Sequence, residues 1–182
     1  MPDINFKAEA SRSREPVRPS AAVSGAPPRW DIIELLFFAY RDFVGDPDHV
    51  LGQFGFGRAH HRVVHFVHRY PGLKVADLLE VLRITKQSLG RVLKQLLDEG
   101  YIVQKSGAAD RRQRLLFATA KGEALVARLA GLQTDRISRA LDGLAPNEVA
   151  AIGRFLGGMI DRDDPDKVLQ TILQTDSGKT RE

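Results

Sequence analysis

Cysteine is absent from this chain of 182 residues, and that removes several mechanisms at once. Without thiols there is no disulfide framework, no zinc–thiolate site, no cysteine nucleophile and no thiol redox switch. Long apolar runs are missing too. The most apolar stretch, Trp30 to Val44, is interrupted by Asp31, Glu34, Arg41 and Asp42, whereas a bilayer span needs roughly 20 predominantly apolar residues. Residues 1–28 mix Asp3, Lys7, Glu9, Arg12, Arg14 and Glu15 with no apolar core, so no signal peptide is recognisable. A cytoplasmic protein with no membrane partner is expected. Enzyme signatures are lacking as well: there is no Gly-rich phosphate loop, no nucleophile elbow and no suitably placed pair of carboxylates. Gly55-Phe56-Gly57 is too short for a nucleotide fingerprint. No enzyme and no cofactor are expected.

What is present is a core and a concentrated charge. A hydrophobic fraction of 43% is ample for burying one core. The net charge is only +4, but its distribution is uneven. Arg83, Lys86, Arg91, Lys94, Lys105, Arg111, Arg112 and Arg114 fall between positions 83 and 114, against Asp98, Glu99 and Asp110. A basic segment on a nearly neutral body is the footprint of a nucleic-acid surface. Pro2, Pro16, Pro19, Pro27 and Pro28 crowd the first 28 residues, which read as a mobile tail.

From Trp30 the apolar residues recur at helical spacing. Ile33, Leu36, Phe37, Tyr40 and Val44 form one stripe, and Ile32, Leu35, Phe38 and Phe43 a second. A helix apolar nearly all round must be covered nearly all round, which in so short a chain implies a second subunit. Gly45-Asp46-Pro47-Asp48 reads as the end of that helix. A second helix spans Arg58 to Tyr70 and stops at Pro71-Gly72. A short third helix carries Val75, Leu78, Leu79 and Leu82, and after a tight break Thr85 caps a fourth with Leu89, Val92, Leu93, Leu96 and Leu97. Gly100 supplies its stop. Two helices so joined read as a helix-turn-helix.

The period then becomes extended. Tyr101-Ile102-Val103 and Leu115-Leu116-Phe117 read as strands around a turn-like Ser106-Gly107-Ala108-Ala109-Asp110, giving a β-hairpin with Arg111, Arg112 and Arg114 at its charged tip. Thr119 caps a long helix through Leu125, Leu129, Leu132 and Ile137, with Glu123 favoured in its first turn by the helix dipole. Leu144-Ala145-Pro146-Asn147-Glu148 begins another. A last amphipathic stretch carries Val168, Leu169, Ile172 and Leu173.

This order of elements, with these residues, resembles the MarR family of winged helix-turn-helix transcription regulators over about Trp30 to Arg162. Asp110-Arg111-Arg112 followed by Leu115, Thr119 and Gly122 is similar to the family's wing signature. The run Leu96-Leu97-Asp98-Glu99-Gly100-Tyr101-Ile102 matches the usual end of its recognition helix. Ala118 departs from the family, which more often has Leu there. The resemblance implies a mainly α fold with a small β-hairpin wing. The expected organisation is an N-terminal tail (1–28), a first dimerisation helix and loop (29–55), a winged helix-turn-helix domain (56–119), C-terminal dimerisation helices (120–174) and a tail (175–182).

The resemblance further implies a homodimer on double-stranded operator DNA, its recognition helices in successive major grooves and its wings along the flanking minor grooves. Such a dimer reads a near-palindrome with half-sites roughly 10 bp apart. With the apolar face of the fourth helix inward, Lys86, Gln87, Gly90, Arg91 and Lys94 point outward. Gln87 and Arg91 are the base-reading candidates, since amide and guanidinium groups pair bidentately with adenine and guanine. Thr85 and Ser88 sit at the helix start, within reach of phosphate. Arg111, Arg112 and Arg114 complete the DNA-binding set. Arg112 is assigned to the minor groove, whose negative potential attracts arginine, while Asp110 braces Arg111. Gly90 reads equally as a close approach of backbone to the duplex or as a small residue against a neighbouring helix.

Four histidines, His60, His61, His65 and His68, fall on the second helix, the last three on one face. Spacing alone makes His61, His65 and His68 metal candidates, but hydrogen-bonded polar groups in a cleft are the preferred reading, and no metal is assigned. Many family members bind small, often aromatic, anions between the dimerisation and DNA-binding parts. Here Trp30, Phe37, Tyr40, Arg41, His61 and His65 are the residues for such an effector pocket. A repressor released by an effector is the expected function. A regulator without an effector, or one responding to metal through the His60–His68 helix, is the alternative.

Overall fold

A 23-residue helix, α1 (Trp30–Gly52), opens the part of the chain that the structure, a computed structural model, describes: residues 27–107 and 113–160. It is followed by α2 (Arg58–Arg69), β1 (Leu73–Lys74), α3 (Val75–Leu82), α4 (Lys86–Asp98), β2 (Ile102–Ser106), β3 (Arg114–Ala118), α5 (Ala120–Leu141) and α6 (Pro146–Gly158). The architecture is mainly α with one small antiparallel sheet, as the sequence implies. Among the described residues, no helix is long and apolar enough to cross a membrane.

The first helix does not stop where its Gly and Pro suggest. It continues through Gly45-Asp46-Pro47-Asp48 to Gly52. Proline inside a helix removes one backbone bond and costs ~3 kcal/mol, so something must hold the turn. The Pro47 ring is fully buried, and Val44, Val50 and Leu51 on either side of it are buried as well. Asp46 is bound by Arg136 of α5 at 2.7 Å, and Asp48 by Arg58 of α2 at 2.7 Å. Exposed ion pairs contribute little, so apolar burial does most to hold the turn and the two aspartates fix its direction.

The sheet has the order β1-β3-β2, with Ile102 opposite Ala118, Ser106 opposite Arg114, and Leu73 opposite Leu116. The sequence pattern shows two of its three strands. At two residues, β1 is too short to alternate visibly. Ser106 belongs not to the turn, as its neighbours suggest, but to the end of β2.

One apolar cluster joins the elements: Leu51 of α1, Val63 and Val67 of α2, Leu78 of α3, Leu89 and Leu96 of α4, Ile102 of β2, Leu116 of β3 and Leu129 of α5. Each fully buried aliphatic side chain contributes about 1.5–3 kcal/mol. The two ends of the described chain behave differently. The first half of α1 leaves Leu35, Phe37 and Phe38 exposed, Phe37 at 69%, and α6 buries none of its residues although Ile152, Phe155 and Leu156 line it.

Candidate nucleic-acid interface

The turn between α3 and α4 is shaped by its own capping groups. Arg83 takes a left-handed backbone at φ 49° to end α3, a conformation few non-glycine residues adopt. The Arg62 guanidinium donates to the Leu82 carbonyl at 2.8 Å, satisfying an acceptor that the helix end leaves open. Thr85 then starts α4: its hydroxyl oxygen accepts the Ser88 N–H at 3.1 Å and its own hydrogen is donated to the Ser88 hydroxyl at 2.9 Å. The expected cap is therefore present. Both hydroxyls are engaged with each other at the helix start.

Leu89, Val92, Leu93 and Leu96 of α4 are buried, and Lys86, Gln87, Ser88, Gly90, Arg91 and Lys94 are exposed on the other side. The outward row expected from the sequence is the row observed. Among the described residues, no hydrogen bond or ion pair engages the Gln87 or Arg91 side chain, so amide and guanidinium are both open to a ligand. Lys94 is paired with Asp98 one turn on, an exposed pair that is easily exchanged for a phosphate. At Gly90 an added Cβ would meet nothing within 4 Å, so among the described residues no neighbouring helix requires glycine there.

The wing stands beside this face. Arg114 donates to the Ser106 hydroxyl across the strand pair at 3.2 Å, and Lys105 lies 4.9 Å from the centre of the Phe117 ring. Lys105 is exposed on β2. Asp110, Arg111 and Arg112 lie outside the described residues.

The base of the wing is locked to α5. The Thr119 hydroxyl donates to the Gly100 carbonyl at 2.7 Å and accepts the Gly122 N–H at 3.1 Å. Lys121 donates to the Glu99 carbonyl at 2.9 Å while its ammonium sits 4.1 Å from the centre of the Tyr101 ring. Arg62 and Lys121 thus close the ends of α3 and α4. Sequence reasoning missed both, because a residue that caps a helix from another element leaves no local pattern.

The effector candidates separate into two groups. Tyr40 lies against the Arg58 guanidinium, 5.6 Å from ring centre to cation, and Arg58 in turn holds Asp48. His61 and His65 are half-buried on α2. Burial holds both imidazoles below the ordinary histidine value, assisted at His61 by the neighbouring His65 and at His65 by Arg69 and His68; Asp48 works the other way at His61. Tyr40 therefore meets the Arg58–Asp48 pair directly, whereas His61 feels Asp48 only through its charge. Trp30 and Phe37 stand exposed, as does Tyr40 apart from its contact with Arg58, and Arg41 is engaged with Asp42 at 2.8 Å and with the Phe38 ring at 5.1 Å. Among the described residues, no three His, Asp or Glu side chains, His61, His65 and His68 among them, form a group that could hold a metal ion.

Comparison with known proteins agrees with this geometry. The MarR family model matches residues 54–113, from the α1–α2 loop to the residue before β3. The HTH-type transcriptional regulator PetP of Rhodobacter capsulatus is 46% identical over 129 residues, which cover 71% of this chain and 78% of PetP. Streptococcus pneumoniae FabT, solved in complex with DNA, superposes with a TM-score of 0.63 at 19% identity, covering 71% of this chain and 92% of FabT. Bordetella bronchiseptica BpsR, whose DNA binding is regulated by 6-hydroxynicotinic acid, superposes with a TM-score of 0.55 at 23% identity over 72% of this chain and 99% of BpsR. A basic helix-turn-helix face beside a wing, on a chain this similar to PetP, makes the protein a DNA-binding transcriptional regulator of the MarR family and not an enzyme.

Proposed function

We propose that the protein acts in the cytoplasm as a homodimeric repressor that reads a near-palindromic operator and is released from it by a small aromatic or anionic effector. The exposed row Lys86, Gln87, Arg91 and Lys94, on a helix whose opposite face is buried in the core, carries the DNA-reading part. Gln87 and Arg91 read base edges, Thr85, Ser88, Lys86 and Lys94 approach phosphates, and Arg111, Arg112 and Arg114 follow the flanking backbone and minor groove. The uncovered apolar residues of α1 and α6 support a second copy as their partner. One chain's own core does not bury them, and a two-fold arrangement would set two α4 helices one DNA turn apart.

For the effector, Tyr40, Arg58 and His61 around Asp48 offer an aromatic wall, a cation and a neutral imidazole at the seam between α1 and α2. An effector acts only if it binds the DNA-incompetent arrangement better, and this seam joins the helix that leads to the dimer face with the helix that supports α4.

The test is fluorescence anisotropy of the full-length protein on the duplex upstream of its own gene and on a scrambled duplex, at two salt concentrations, with sedimentation to give the mass. Selective binding by a species of twice the chain mass supports the reading. Equal, salt-sensitive binding of both duplexes by a monomer overturns it. Addition of aromatic carboxylates to the selective complex then tests release: a ligand that raises the melting temperature while freeing DNA supports it.

A further inference from the structure

His60 is the one histidine of α2 that turns toward the DNA-reading helix. Its Nδ1 accepts the Gly57 N–H at 3.1 Å, so at the third position of α2 it caps the start of its own helix. A ring whose Nδ1 accepts is the tautomer that carries its hydrogen on Nε2. That hydrogen is donated to Gln95 Oε1 at 2.9 Å, and Gln95 in turn donates from its amide nitrogen to Glu99 at 2.9 Å. Phe56 stacks on the imidazole at 4.7 Å with the planes 10° apart. The ring is thus held by a cap and by a stack, with its remaining polar atom aimed across the gap at α4.

The contact matters because of what else holds α4. Leu89, Val92, Leu93 and Leu96 attach it to the core through apolar packing, which is strong but tolerates rotation about the helix axis better than a hydrogen bond does. Thr85 fixes the first turn, and Lys121 reaches the Glu99 carbonyl at the last. Between those ends, the His60–Gln95 bond is a directional tie from another helix. Gln95 sits one turn after Arg91 and two turns after Gln87 and Ser88, so a roll about the helix axis that breaks this bond also turns the base-reading row.

We propose that His60 is a positioning residue for DNA recognition: by holding Gln95 it fixes the roll of α4, and with it the aim of Gln87 and Arg91. The proposal rests on the reading of α4 as the base-reading helix. It assigns to an imidazole that does not touch DNA a share of the preference for operator over other sequences.

The experiment uses the full chain and a duplex enriched by the parent protein from a random pool, with a scrambled duplex as reference. In His60→Asn the side-chain oxygen replaces Nδ1 and retains the Gly57 cap, but nothing reaches Gln95. Operator affinity should fall about fivefold, the worth of one hydrogen bond, with affinity for the scrambled duplex and the salt slope unchanged, since no phosphate contact is lost. Gln95→Ala should give the same loss, and the double variant no more than either alone. Nitrogen NMR of the free protein should find the His60 hydrogen on Nε2. Independent, multiplying losses, or an unchanged ratio of operator to scrambled binding at an unchanged melting temperature, would overturn the proposal. Arg91→Ala is the control. If it also leaves the ratio unchanged, the assignment of α4 has failed; if it lowers the ratio and His60→Asn does not, only the positioning role has failed.

Discussion

Gly122 packs against Tyr101 so closely that a Cβ added at position 122 would stand 2.1 Å from the Tyr101 carbonyl oxygen. That oxygen also accepts the Thr119 N–H at 3.1 Å, so it cannot move without breaking the seam between the wing and α5. The spacing of Thr119 and Gly122 thus has a physical cause. The threonine bridges the Gly100 carbonyl and the Gly122 N–H, and the glycine makes room for the strand that arrives at Tyr101. Gly122→Ala is expected to destabilise the protein by about 1–3 kcal/mol, the usual cost of forcing atoms into a packed site. Thermal unfolding checks it, and a melting temperature equal to the parent's would contradict the stated closeness.

Much of this fold was legible in the sequence, for reasons visible at particular residues. The period of Leu89, Val92, Leu93 and Leu96, the cap at Thr85 and the stop at Gly100 are local signals, and local signals suffice for α4 and its outward row. The continuation of α1 through Pro47 was not legible. It depends on Arg136 and Arg58, 90 and 10 residues away from the aspartates they bind, and on burial of the proline ring. The same holds for β1, visible only through its pairing with β3, and for the His60–Gln95 bond, which spans 35 residues. Of the effector set, sequence spacing placed His61 and His65 on one face but had no means of telling that Tyr40, unlike Trp30 and Phe37, meets the Arg58 guanidinium.

Gly90 offers a change in which stability and function move apart. A glycine inside a helix costs up to about 1 kcal/mol relative to alanine, and here an added Cβ meets open space. Gly90→Ala should therefore raise the melting temperature, by about 2–4 °C for a gain of that size. If the bare backbone is there to approach the duplex, the same substitution weakens operator binding by about tenfold, comparable to one lost base contact. Calorimetry and anisotropy on one preparation decide it. A stabilised variant with full operator affinity would show that nothing approaches position 90.

Arg91 and Arg112 should fail in different ways. Arg91→Ala removes a guanidinium from the outward row of α4 and should reduce operator affinity about tenfold, while leaving scrambled DNA nearly unaffected. Arg112→Ala should weaken binding to both duplexes and lower the slope of log affinity against log salt by about one, the signature of one released counterion. Titrations at several salt concentrations separate the two, and equal losses on both duplexes for Arg91→Ala would refute base reading.

The half-buried histidines set a pH dependence whose sign follows from their shifts. His61 and His65 are held below the ordinary histidine value of 6.5, chiefly by burial. Below 6.5 the unfolded chain therefore binds protons that the folded chain refuses, and acid favours unfolding. Their contribution is complete above that value and is lost as the pH falls from it towards the lowered values of the folded state. The melting temperature should decline as the pH falls below about 6.5. The double change His61→Gln with His65→Gln should flatten that decline, and a decline of undiminished steepness would assign the acid sensitivity to other groups.

A dimer built on the exposed half of α1 makes a demand on its aromatic residues. Phe37 is 69% exposed and Phe38 54%, beside Leu35 at 62%, a density of apolar surface that a monomer rarely leaves open unless it is an interaction site. A charge at its centre has a large desolvation cost if a second subunit covers it and almost none if water does. Phe37→Asp should accordingly leave the apolar cluster around Leu51 and Leu96 intact, so that circular dichroism keeps its helical amplitude. Sedimentation should shift towards the mass of one chain. Operator binding should fall by far more than tenfold, because one α4 alone reads one half-site, whereas the salt-sensitive binding to scrambled DNA should drop only modestly. A variant that keeps both the dimer mass and the operator affinity would move the interface away from this face of α1 and leave Phe37 open for a different partner.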